Sequence, residues 1–101
     1  MNIKDEEIPA FYDLISPRQA MLWLSRNPNN RRLREELVAE YEIKMRNREW
    51  VERGGMPVMI TADGELINGQ HRLTALLRLG HPMILRIQIC ERPKRRLKND
   101  N

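Results

Sequence analysis

Gly69-Gln70-His71-Arg72 is the stretch of this chain whose residue types are best suited to holding an anion. It follows the apolar pair Leu66-Ile67 and Asn68, and precedes Leu73, Leu76 and Leu77, whose spacing predicts a helix. A glycine at such a junction lets the chain turn tightly and lets a ligand approach the backbone closely. The first amides of a helix have no acceptor within it and sit at its positive end, so they favour an anion. Arg72 can grip two phosphate oxygens, His71 can donate to one, and Gln70 adds an uncharged amide. On spacing alone the same residues equally describe an ordinary strand-to-helix turn with a polar surface.

Other chemistry-bearing residues are scattered. Glu35, Glu36, Asp63 and Glu65 could each act as a base, yet helix and hairpin surfaces routinely carry such groups, and spacing assigns no catalytic role. The single cysteine, Cys90, excludes an internal disulfide and a cysteine metal cluster, and reads as a small structural hydrophobe at a strand end. His71 and His81 lack metal-ligand spacing, so no metal site is expected. Arg92, Lys94, Arg95, Arg96 and Lys98 form a basic tail that could bind a DNA backbone in a salt-sensitive, sequence-independent way. A solvated tail is the competing reading. No aromatic interleaves it, so no stacking platform for single strands is indicated.

Several elements must position the turn. Ser16-Pro17-Arg18-Gln19 predicts a helix start: Ser16 caps, Pro17 suits the first helical position, and Gln19 completes a capping box. Asn27-Pro28 stops that helix. Asn29-Asn30 can cap a second one, in which Leu33, Leu37, Tyr41 and Met45 recur every four residues, predicting an amphipathic helix from about Leu33 to Arg48. Trp50 should fold back against its end, and Gly54-Gly55 is a break. Pro57 to Thr61 predicts a strand, Asp63-Gly64 a tight turn, and Glu65-Leu66-Ile67 the returning arm. The third helix ends at Gly80. Met83, Leu85, Ile87 and Ile89 alternate with Arg86 and Gln88 as a half-buried strand. The order helix, helix, strand, strand, helix, strand implies a small α+β domain over residues 16–91, between a lead segment 1–15 and a tail 92–101.

The bulk numbers fit this. The 101 residues suit one compact domain, 41% hydrophobic and 32% charged, with a net charge of +4 that suggests polyanionic partners without proving them. Aromatic residues are few, so the core must rest on Leu, Ile, Val and Met. No apolar run approaches the roughly 20 residues of a membrane span. The opening Met-Asn-Ile-Lys-Asp-Glu-Glu has no basic-then-apolar signal region, and the expectation is a cytoplasmic protein with no membrane partner.

The turn resembles the phosphate-binding motif of the ParB/sulfiredoxin superfamily, in which a glycine and a basic pair open a helix after a strand. Asn27-Pro28-Asn29-Asn30-Arg31 looks like that family's Asn-Pro...Arg box, the helix ending near Arg48-Glu49-Trp50 like the one before its Pro-Val/Ile strand, and Gly80 to Ile89 like its closing strand. The resemblance spans roughly Ser16 to Ile89. It is particularly similar to short stand-alone ParB-like proteins of phages and mobile elements, which share Gly-Gln-His-Arg. It implies a small mixed sheet packed with about three helices. It also implies that Asn68, Gly69, Gln70, His71 and Arg72 cradle nucleotide phosphates, with Arg31 approaching the same pocket. The ligand would be CTP or ATP, with or without magnesium, and the partners DNA or a protein.

Two departures narrow the expected function. Sulfiredoxin carries its catalytic cysteine just before the His-Arg pair; here that residue is Gln70, whose amide is no sulfur nucleophile. ParB partition proteins carry a later Glu-Asn-x-x-Arg magnesium motif, a DNA-reading helix-turn-helix and a dimerisation region, none of which is found in this sequence. The expectation is therefore a nucleotide- or nucleic-acid-phosphate module. The alternatives are a ParB-like phosphotransferase or nuclease, or an interaction protein such as a phage-type inhibitor.

Overall fold

The computed structural model describes residues 9–28, 31–51 and 56–90. The basic tail and most of the acidic lead segment lie outside the described residues. The elements run β1 (Phe11–Ile15), α1 (Pro17–Ser25), α2 (Glu35–Arg46), β2 (Val58–Thr61), β3 (Leu66–Asn68), α3 (Gln70–Leu79) and β4 (Met83–Cys90). The α+β class is as expected: four strands form one mixed sheet in the order β1-β4-β2-β3, with three helices.

Local chemistry explains most boundaries. Ser16 is extended and its Oγ accepts from the Gln19 amide at 3.0 Å, with Pro17 beginning α1. Ser16→Ala should therefore lower stability by about 1 kcal/mol, read as a drop of roughly 4–8 °C in the thermal midpoint. Gly64, at φ +90°, makes the β2–β3 turn, closed by Gly64 N–H donating to Thr61 O and Thr61 N–H donating to Glu65 O, both at 2.9 Å. Gly80 ends α3 in the left-handed region, donating to Leu76 O. Trp50 does fold back, meeting the Tyr41 ring edge-on at 5.0 Å between centroids.

Two elements differ from expectation. The element order read from sequence has no strand before Ser16, whereas Phe11–Ile15 pairs antiparallel with β4, Phe11 opposite Ile87 and Ile15 opposite Met83. Its own pattern is weak, because only Ile15 is buried. What makes it a strand is the edge that β4 offers for pairing. The second helix is also shorter than Leu33 to Arg48. Arg34 is its N-cap residue, with extended backbone and no side-chain cap of its own. The proposed cap at Asn29-Asn30 lies outside the described residues.

β4 is the hub, paired antiparallel to β1 and parallel to β2, with Val58 beside Ile87 and Ile60 beside Ile89. The core joins Val58, Ile60, Leu85 and Ile87 of the sheet to Ala20 of α1, Val38 and Met45 of α2, and Leu73, Ala75, Leu76 and Leu79 of α3. Buried Thr74 is satisfied, its hydroxyl donating to Gln70 O at 2.7 Å. α3 packs against both other helices. Arg78 of α3 also forks onto Glu35 of α2 at 2.8 and 3.3 Å, which holds the Glu35 carboxyl below its usual range. The Arg34 N–H at the start of α2 also donates to His71 Nε2, in the first turn of α3, at 3.0 Å, so the N-termini of α2 and α3 meet. No helix of the described residues is long and apolar enough to cross a membrane.

Candidate phosphate-binding cleft

A cleft of about 160 Å³ opens where β3 runs into α3. Asn68, Gly69, Gln70, His71 and Arg72 line it, and so does Arg31, brought from the segment before α2. All six residues expected from sequence thus border one space. Asn27, Leu37, Tyr41, Leu66 and Ile67 complete it. The lining thus mixes polar and basic side chains with the apolar Leu37, Leu66 and Ile67. Among the described residues no Asp or Glu lines the cleft, and no three His, Cys, Asp or Glu converge as metal ligands.

Gly69 sets the geometry. It stands at φ +119° as the residue before α3 and is buried. A Cβ there would lie 2.9 and 3.1 Å from the two Val58 methyls and 3.2 Å from Val58 Cα. Glycine therefore lets α3 start hard against β2. The helix end it leaves is unusual in this molecule. α1 is capped by Ser16, and α2 carries Glu35 and Glu36 in its first turn. α3 has neither a side-chain cap at Gly69 nor an acidic residue in its first turn. Its positive end is left for something else to neutralise.

Several polar groups expected to meet a ligand also hold the protein together. The Gln70 amide donates to Arg31 O at 2.7 Å and its Oε1 accepts from Asn27 Nδ2 at 3.2 Å. Gln70, standing where sulfiredoxin has its nucleophile, is thus a tether that places Asn27 and Arg31 beside α3. Asn68 Nδ2 donates to Pro57 O at 3.2 Å, pinning the entrance of β2. His71 departs most from expectation: Nε2 does not donate, it accepts from the Arg34 backbone N–H at 3.0 Å. The imidazole is therefore neutral with its proton on Nδ1, which leaves Nδ1–H as its donor. Burial, then the nearby charges of Arg34 and Arg31, hold this ring below its ordinary value, against an opposing pull from Glu36.

None of the four carboxylates that could act as a base reaches the cleft lining. Glu35 is held by Arg78, Glu36 lies 3.9 Å from Arg34 Nε, and Asp63 and Glu65 belong to the β2–β3 turn. Cys90 is half-buried at the end of β4. Sequence reasoning named Arg31 but assigned no site role to Asn27 or Tyr41. For Tyr41 there was a signal: it is the one hydroxyl-bearing residue in the stripe Leu33, Leu37, Tyr41, Met45. No family model, curated protein or solved structure matches the chain, so the reading of this cleft rests on its own residues.

Proposed function

We propose that the chain is a phosphate-binding module, with the ligand's phosphate seated at the start of α3 and the rest of a nucleotide or nucleic acid extending from it. The observation that carries this is that Arg31 and Arg72 line one cleft at a helix start with no side-chain cap and no acidic residue in its own first turn, and that no carboxylate among the described residues lines that cleft. Amides at a helix start and two guanidiniums favour a phosphate over a neutral ligand. In this reading Arg72 and Arg31 grip phosphate oxygens, the amides behind Gly69 face them, and His71 donates from Nδ1. Leu37, Tyr41 and Ile67 offer an apolar wall to the remainder of the ligand.

Size refines the ligand. About 160 Å³ falls below the roughly 300–1,000 Å³ of typical small-molecule sites. The space suits a phosphate group better than an entire nucleoside triphosphate, so CTP or ATP would leave its nucleoside outside the closed part. A magnesium ion would have to be held by the ligand's own phosphates, since the lining supplies no carboxylate.

Calorimetric titration with inorganic phosphate, CTP, ATP and GTP, each with and without magnesium, tests the proposal. Binding is expected, and Arg72→Ala or Arg31→Ala should weaken it about tenfold or more, the worth of one charge-assisted hydrogen bond. Absence of binding at millimolar ligand, or unchanged affinity in Arg72→Ala, defeats it.

A protein-interaction role has its own supporting observation. The outer face of β1 and β4 exposes Tyr12, Leu14 and Ile84, each more than half accessible, on a sheet edge. If Tyr12→Ser with Leu14→Ser abolished function while phosphate affinity stayed intact, this second reading would replace the first.

A further inference from the structure

We infer that His71 is a proton-operated clamp between α3 and α2: neutral, it caps α2 and fixes Arg34 and the start of that helix beside the cleft; protonated, it lets them go. The inference goes beyond the phosphate proposal and stands without it.

The geometry is a helix cap supplied from another helix. Arg34, the N-cap residue of α2, has no side-chain cap of its own. Its backbone N–H donates instead to His71 Nε2, in the first turn of α3, at 3.0 Å. Only a neutral imidazole has a lone pair there. A proton on Nε2 would set donor against donor, and the hydrogen bond must break. The new charge would also sit at the positive ends of two helices at once.

The charged neighbours act in the same direction. From the segment before α2 come Arg31 and Arg34, and from His71's own helix Arg72 lines the same cleft. From α2 the ring feels Glu36, which also lies 3.9 Å from Arg34 Nε, and Tyr41 of the same helix lines the cleft. β3 contributes only uncharged Asn68. Burial and two arginines therefore outweigh one carboxylate, and the ring resists protonation more than a solvent-exposed histidine does. The adjacent Gln70 has no titratable group and keeps its hold on Arg31 O. Acidification thus releases Arg34 and the start of α2 while one tether remains.

The sign follows from linkage. The unfolded chain binds a proton at His71 near the ordinary value of 6.5, and the folded chain binds it only at lower pH. Between those two points the unfolded state carries more protons, so stability falls as pH drops through about 6.5 and levels off below the folded value.

An NMR pH titration of the full chain from 8 to 4.5, following the ring signals of His71 and His81 and the Arg34 amide, decides the matter. The expected result is a His71 midpoint below 6.5 and an Arg34 amide that shifts with the same midpoint. Its hydrogen-exchange protection, corrected for the intrinsic pH effect, should fall about fivefold or more, the worth of one hydrogen bond. His71→Gln keeps an uncharged acceptor at similar reach, and its Arg34 amide should show no transition between pH 7 and 5; His81→Gln should keep the transition. A His71 midpoint at or above 6.5, an Arg34 amide indifferent to that titration, or an unaltered transition in His71→Gln would overturn the clamp. The wild-type titration decides alone if His71→Gln does not fold.

Discussion

Gly69→Ala is expected to lower the thermal midpoint by roughly 8 °C or more. Two costs add. A non-glycine residue at φ +119° carries backbone strain of about 1–3 kcal/mol. The added carbon would also lie 2.9 Å from one Val58 methyl, 3.1 Å from the other and 3.2 Å from Val58 Cα. Side chains can yield, but the Cα belongs to a strand paired on both edges. Overpacking of this kind typically costs about 1–3 kcal/mol. Together these give about 2–6 kcal/mol, at roughly 4–8 °C per kcal/mol for a domain this small. Gly80→Ala is the control: its φ of +89° is also strained, but nothing lies within 4 Å of the added carbon, so about 1 kcal/mol should be lost. Val58→Ala in the Gly69→Ala background removes both methyl contacts and should restore part of the loss, leaving the backbone contact and the strain. Equal midpoints for the two glycine variants, measured by circular dichroism, would mean that α3 is not held against β2 as described. Phosphate affinity should fall with stability in Gly69→Ala, since the same displacement moves the helix end away from Arg31.

Leu76→Ala should cost about 2–5 kcal/mol, a large part of the roughly 5–15 kcal/mol that stabilises a whole domain. Leu76 is fully buried on α3, the helix that contacts both α1 and α2, so few neighbours can move in to fill the space. Urea unfolding should show the midpoint falling with the slope unchanged. The matched control is Leu22→Ala on α1, where the side chain is 48% exposed and the loss should stay within about 0.5 kcal/mol. A Leu76→Ala loss no larger than the Leu22→Ala loss would place the core elsewhere.

The two variants touch the site differently. Gly69→Ala perturbs the junction that shapes the cleft, whereas Leu76→Ala removes support behind it. If phosphate binds at the start of α3, saturating phosphate should raise the midpoint of Leu76→Ala by mass action and do much less for Gly69→Ala.

Much of the scaffold was legible because the relevant physics is local. Ser16 before Pro17 begins α1, Asp63-Gly64 turns the chain, and Gly69 and Gly80 bracket α3. Each acts through backbone angles or hydrogen bonds within about one turn of itself, so residue type and spacing are enough. Periodicity likewise marked Met45 on α2 and Leu85 and Ile87 on β4, because burial on one face writes a repeat into the chain. The same local logic singled out Gly69 to Arg72 as a place where a helix end meets donors.

Tertiary structure decided what each of those groups touches. Whether Phe11–Ile15 is a strand depended on β4, about 70 residues on, offering it an edge. Whether α2 begins at Glu35 depended on His71, 37 residues away, supplying the acceptor for Arg34. Gln70 and His71 read in sequence as donors awaiting a phosphate. In the folded chain Gln70 tethers Asn27 and Arg31, and His71 Nε2 accepts rather than donates. A side chain's hydrogen-bonding role is set by its partner, and partners brought together across tens of residues leave no local pattern. The sequence by itself thus determined most of the helices, the turns and where a helix end flanked by polar and basic side chains would fall. Only the fold determined that Arg31 stands at that end, that no carboxylate among the described residues lines the cleft there, and that the histidine is bound to a neighbouring helix.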